Sequence, residues 1–138
     1  MARAAVQGAD IIRKRLRTIV RNVADAVDQE MDDIAAELLT ESREQAPQLS
    51  SKMIDTAKIV RSGSRRGKRF VRTVKYTQEY APIQHEKKHH PGPVTAAKLG
   101  DSYGIATKFL SHPFGMMKRT IPRRLARVVE KAIRQSVR

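Results

Sequence analysis

The residues best suited to chemistry lie in one short run, His85-Glu86-Lys87-Lys88-His89. Two histidines one helical turn apart present both imidazoles on one face, where they bind zinc, and the glutamate between them polarises a zinc-bound water. Gly92 extends the pattern to H-E-x-x-H-x-x-G. The surroundings argue against that use. Lys87 and Lys88 put two cations where a dication would bind, and His90-Pro91-Gly92-Pro93 ends a helix at once. The extended pattern wants a histidine at Thr95, and outside the cluster only His112 remains. These neighbours favour a polar helix end running into a loop, with a zinc hydrolase as the remote alternative. Covalent catalysis fares no better. The chain has no cysteine, no glycine-flanked serine elbow and no glycine-rich phosphate loop, and Ser62, Ser64 and Ser102 have no evident partners. No catalytic residue, metal ligand or cofactor is assigned.

The elements that would carry these residues follow from periodicity. From about Ala9 to Gln45, apolar residues at Ile12, Leu16, Ile19, Val20, Val23, Val27, Met31, Ile34, Ala35 and Leu38 draw one stripe along a helix. Pro47 stops it, because Ala46 before a proline is disfavoured in the helical region. Such a helix is roughly 55 Å long, whereas a compact domain of this size has a radius of gyration of about 14 Å. Either it breaks near Arg21–Asp25, or its start, residues 1–21, projects and needs a partner chain. Two strands are expected at about Ile54–Arg61 and Arg69–Tyr76, joined by the basic hairpin loop Ser62–Lys68. A short helix follows at about Thr77–Lys88, then a long Pro/Gly loop over His89–Gly104 and an extended piece near Ile105–Leu110. The last helix starts near Thr120, with Thr120 as N-cap and Pro122 in the first turn. Its apolar face is Leu125, Val128, Val129, Ala132, Ile133 and Val137. The expected fold class is therefore α+β: a long N-terminal amphipathic helix packed on a small antiparallel sheet, a short middle helix and a C-terminal amphipathic helix. A length of 138 residues fits a single domain.

Charge is sorted along this framework. The net charge is +14, yet eight of the 14 acidic residues fall between Asp25 and Glu44, beside the single base Arg43. Bases gather before that stretch, from Lys58 to Lys75, and from Lys118 to Arg138. Sorted charge implies a partner, either nucleic acid or a second copy offering acid to base. No apolar run approaches the roughly 18 residues of a membrane helix, and the N-terminus lacks the apolar segment of a secretory signal. No membrane partner is expected, and assembly in the cytoplasm is.

Three short motifs stand in order: Arg43-Glu44-Gln45-Ala46-Pro47 followed by Ser50-Ser51-Lys52-Met53, then Tyr80-Ala81-Pro82-Ile83-Gln84-His85-Glu86, then Ser111-His112-Pro113-Phe114. This order, over about Ile34–Ser136, resembles the tail-completion, or type 1 neck, proteins of long-tailed bacteriophages. That family shows an A-P-x-x-T-G-x-L turn, a Y-A-x-x-x-E-x-G-T segment and an H-P-F or Q-P-F step before the last helix. Here Ser50-Ser51 and Met53 replace the usual Thr-Gly and Leu, and His85-Glu86-Lys87-Lys88 replaces the Glu-Gly-Thr step. Physically, Pro47 terminates the first helix, Tyr80 packs on the sheet, and Pro113-Phe114 anchors the last helix by burying Phe114.

The resemblance implies a structural virion protein that completes the tail or joins head to tail. It would act without catalysis as a ring of six copies beside neighbouring neck and tail proteins, assembled in the host cytoplasm. In such a ring an acidic face (Asp28, Asp32, Glu37, Glu41, Glu44) is expected to meet a basic face of the next copy (Lys118, Arg119, Arg123, Arg124, Arg127, Arg134). The alternative is a nucleic-acid-binding protein of no sequence preference. Its phosphate contacts would come from Arg65, Arg66, Lys68 and Arg69 at the hairpin tip and from the basic C-terminus. In a neck, the same bases would touch DNA in the channel.

Overall fold

The computed structural model describes residues 2–46, 51–64, 69–86 and 108–138, with the isolated positions 93 and 97. The architecture is α+β. In chain order it runs α1 (Ala2–Gln45), α2 (Ser51–Asp55), β1 (Lys58–Ser64), β2 (Arg69–Lys75), α3 (Ala81–Glu86), α4 (Ser111–Met117) and α5 (Ile121–Val137). Helix α1 is continuous over 44 residues, about 66 Å. Of the two expected outcomes, a break at Arg21–Asp25 or a projecting start, the unbroken helix gives the second. It ends at Gln45, where Ala46 still donates its N–H to the Ser42 carbonyl at 2.9 Å. Pro47 lies outside the described residues.

Strands β1 and β2 pair antiparallel, Lys58 opposite Lys75 through Ser64 opposite Arg69. Period-two alternation puts Phe70, Arg72, Val74 and Tyr76 on one face, and this face meets α1. The expected first strand begins too early. Residues 51–55 are a helical turn that buries Met53, and the strand starts at Lys58. Ala57 lies four residues after Met53 and three after Ile54, so a turn of helix brings it beside both. The Thr56 hydroxyl closes the turn by donating to the Met53 carbonyl at 2.7 Å.

The expected loop over Ser62–Lys68 is shorter, because pairing continues to Ser64 and resumes at Arg69. Gly63 makes this possible. Its φ is +103°, and a Cβ there would stand 2.1 Å from the Arg69 carbonyl oxygen. Gly63→Ala is therefore expected to cost about 1–3 kcal/mol, readable as a lowered urea midpoint. An unchanged midpoint would show that the hairpin tolerates the shift.

One buried cluster, Ala46, Met53, Ala81 and Phe109, ties the end of α1 to α2, α3 and the segment before α4, with Tyr76, Tyr80 and Leu110 packed around it. The Phe109 ring meets Tyr76 and His85 edge-on, with centroids at 5.0 and 5.2 Å. The Tyr76 hydroxyl and the Ser42 hydroxyl share a 2.7 Å hydrogen bond. Burial pushes the Tyr76 phenol above its ordinary pKa, against the opposing pull of Ser42 and Arg43.

The third landmark differs from expectation. Pro113 is buried, but Phe114 is 49% exposed and the buried phenylalanine is Phe109. Residues 108–110 are turns rather than an extended piece, and Pro113 sits in the first turn of α4, where a missing N–H costs nothing. Pro122 occupies the same kind of position in α5. Thr120 is the N-cap residue of α5, but its hydroxyl donates backwards to the Met117 carbonyl at 2.8 Å and caps nothing. The middle helix is shorter than expected, Ala81–Glu86, and Lys87 through Gly92 lie outside the described residues.

Candidate assembly interface

The sheet face toward α1 carries two arginines. Arg61 and Arg72 stand directly opposite in the register, where like charges repel. Helix α1 answers with Asp28 and Asp32, one turn apart on the side facing the sheet. The Arg72 Nε donates to Asp32 Oδ1 at 2.5 Å, its Nη2 donates to Asp28, and its Nη1 reaches the Val71 carbonyl at 3.1 Å. Arg61 adds a 2.8 Å bond to Asp32 from the rim. The Arg72 side chain is only 4% exposed. Burial weighs against its charge, but the bonds to Asp32 and Asp28 outweigh that and hold its pKa above the usual arginine value.

A second clamp joins α1 to α5. The Arg124 Nε donates to Glu30 at 2.6 Å, and its two terminal nitrogens donate to Glu37 at 2.5 and 2.9 Å. Farther along, the Asn22 amide donates to the Ser136 hydroxyl at 3.0 Å. Residue 124 lies against 30–37 and residue 136 against 22, so the two helices run antiparallel. The hydrogen bonds from Arg124 pull the Glu37 carboxyl below its ordinary value of 4.5. A folded pKa below the unfolded one gives stability that is present above pH 4.5 and lost as pH falls through the folded value. Glu37 is half exposed, so the contribution is at most about 1 kcal/mol. The stability gap between the native chain and Glu37→Gln is expected to shrink from pH 7 to pH 3, as read by urea unfolding at each pH.

These clamps use part of both charged faces within the chain. Asp28, Asp32, Glu37 and Arg124 find their partners within one chain. Glu41 and Glu44 remain on the exposed side of α1, and Lys118, Arg119, Arg123, Arg127 and Arg134 are exposed, with Arg134 bonded to Glu130 at 2.6 Å. Arg69 is exposed at the start of β2, while Arg65, Arg66 and Lys68 lie outside the described residues. On α5 and at its C-cap, Arg123, Arg127, Lys131, Arg134 and Arg138 succeed one another at spacings of three and four, forming one outward stripe.

The apolar stripe of α1 divides in two. From Val23 onward it faces α5 and the sheet. Before Asn22 it continues past the end of α5 as an overhang of about 30 Å. There Ile12, Leu16 and Val20 are 60%, 56% and 47% exposed. At the opposite end of α1, an open groove of about 820 Å³ runs between α1 and α4. Ala36, Thr40, Pro113, Met116 and Met117 form its sides, and Glu37 and Glu41 stand on it.

One further constellation was not legible in sequence. The His85 Nδ1 bonds Glu86 at 2.7 Å, and its Nε2 accepts from the Ser111 hydroxyl at 2.9 Å and from the Ser111 N–H at 3.3 Å. Serine, histidine and glutamate in this order form the relay that activates a nucleophile. Here the N–H that would help stabilise an oxyanion points at His85 instead, and Pro113 removes another donor from the same turn. Glu86 is also bonded to Lys108, which first and then His85 holds its carboxyl below the ordinary range. The arrangement ties α3 to the start of α4. Both ring nitrogens of His85 are occupied, so the zinc-motif histidine has none turned to a metal, and His89 lies outside the described residues. Among the described residues no group of three or more His, Cys, Asp or Glu is placed to hold a metal ion, and no helix is long and apolar enough to cross a membrane.

Compared with protein-family models, with curated proteins and with solved structures, the chain matches none.

Proposed function

We propose that this chain is a structural assembly protein of a tailed bacteriophage, completing the tail or joining head to tail as an oligomeric ring at the neck, by contact and without catalysis. The observation that carries the assembly part is the overhang of α1. Ile12, Leu16 and Val20 stand exposed along a stretch of helix that no other described element covers, and such a stripe is stable in a complex. The phage setting rests on the order of the three landmarks. Of the landmark residues, Pro113 is buried at the start of α4 and Tyr80 packs against the buried cluster, whereas Phe114 is half exposed and Pro47 lies outside the described residues.

Sedimentation equilibrium of the purified chain, alone and with portal and tail-tube proteins, tests the proposal together with immunogold labelling of virions. Oligomers and label at the head–tail junction are expected. A chain that stays monomeric and never enters particles would sink it.

A second reading has its own support in the basic stripe of α5, which suits non-specific contact with phosphates. Within a neck this is contact with the DNA that passes through. Affinity for duplex DNA should then fall steeply with salt and ignore sequence, and tight sequence-specific binding at physiological salt would replace the assembly reading with a dedicated DNA-binding role.

A further inference from the structure

We infer that the groove between α1 and α4 receives the α1 overhang of a second copy of this chain. The inference rests on the assembly reading and names its contact. Two features left open among the described residues lie at opposite ends of one continuous helix. Leu16, in the middle of the exposed stripe, and Glu41, on the groove, are 25 residues apart along α1, about 37 Å. A straight helix cannot fold its start onto its own end, so the stripe reaches such a groove only on another molecule.

Chemistry selects this occupant over the obvious competitor. Ile12, Leu16, Ile19 and Val23 follow the four-three-four spacing of a coiled-coil seam, so two overhangs could in principle pair with each other. Arg13 and Arg15 flank that seam and Lys14, Arg17 and Arg21 crowd the same stretch, so pairing would face base with base. The groove offers the opposite. Its apolar sides include Met116, 68% exposed, a flexible side chain suited to irregular surfaces, and Glu41 stands exposed on its α1 wall, while Glu37 beside it is held by Arg124. A basic-flanked apolar helix and an acid-edged apolar groove are complementary in both respects. Different faces of successive copies then meet, and such a heterologous contact propagates and closes into a ring when the rotation allows.

The chain has no cysteine, so introduced thiols report single contacts. Leu16→Cys protein mixed with Met116→Cys protein and mildly oxidised is expected to give a mixed disulfide dimer in excess of either homodimer. The double variant should give a ladder of multimers. Glu41→Arg is expected to weaken association at least about tenfold, and Arg13→Glu in the partner to restore part of it.

A dominant Leu16→Cys homodimer would overturn the inference in favour of overhang-to-overhang pairing. Oligomers by sedimentation equilibrium without the mixed cross-link would overturn the contact and leave the assembly reading standing. A monomer at every concentration would overturn both, as would a monomer that instead floats with phosphatidylserine vesicles, the other partner open to a basic amphipathic helix.

Discussion

Arg72→Ala is expected to lower stability by about 3–5 kcal/mol, because it removes one partner of a buried ion cluster and strands the others. Asp28 is itself buried, and Arg72 bonds both its carboxylate and its backbone carbonyl. Without the guanidinium, two carboxylates one helical turn apart face each other under the sheet, beside the exposed Arg61. A chain of this length has roughly 5–15 kcal/mol of total stability, so the loss should appear as a drop in Tm of roughly 10–20 °C. Arg61→Ala provides the contrast. Its side chain is 60% exposed, and its removal should cost less than about 1 kcal/mol. Replacing Arg72, Asp28 and Asp32 together by apolar residues should recover much of the deficit. An Arg72→Ala loss no larger than that of Arg61→Ala would show that the cluster does not hold the sheet to α1.

Phe109→Ala is expected to cost a similar amount, about 3–5 kcal/mol, by opening a cavity at the junction of four segments. Phe109 is 1% exposed and contacts two rings edge-on, a geometry that adds about 0.5–1.5 kcal/mol to area burial. Phe114→Ala, at the half-exposed neighbour on α4, should cost less than about 1.5 kcal/mol by the same area argument. Urea unfolding of the two variants side by side decides which phenylalanine anchors the C-terminal region. A larger loss at Phe114 would reverse the packing described above.

The contrast between these two phenylalanines shows what periodicity can and cannot reveal. The long stripe of α1 and the alternation of Phe70, Val74 and Tyr76 were readable because each repeats over several turns or residues. The last helix was readable for the same reason, with Pro122 marking its start. Phe109 sits in a turn with no repeat around it, and only three-dimensional closure against Met53 and Ala81 buries it. The first strand was begun too early, at Ile54, because one helical turn is too short to establish a period, and Ile54 and Thr56 are β-branched.

At the candidate interface, the excess of acid on α1 was visible, but its use was not. Arg72 pairs with Asp28 across 44 residues and Arg124 with Glu30 across 94, separations that charge counting cannot bridge. One signal was available in advance. Alternation puts Arg72 on the same strand face as Phe70 and Val74, and an arginine on an apolar face requires carboxylates above it.

The unbroken α1 also governs how a lone copy moves through solution. A rod of about 66 Å attached to a 15.6 kDa chain gives more friction than a sphere of equal mass. A monomer should therefore elute early from a gel-filtration column, at the position of a larger compact protein, and diffuse more slowly than its mass alone implies. Ring closure that seats each overhang against a neighbour would reverse that trend, so the ratio of hydrodynamic radius to mass should fall as copies assemble. Shape and mass measured together would then follow assembly continuously, with the overhang as the built-in reporter.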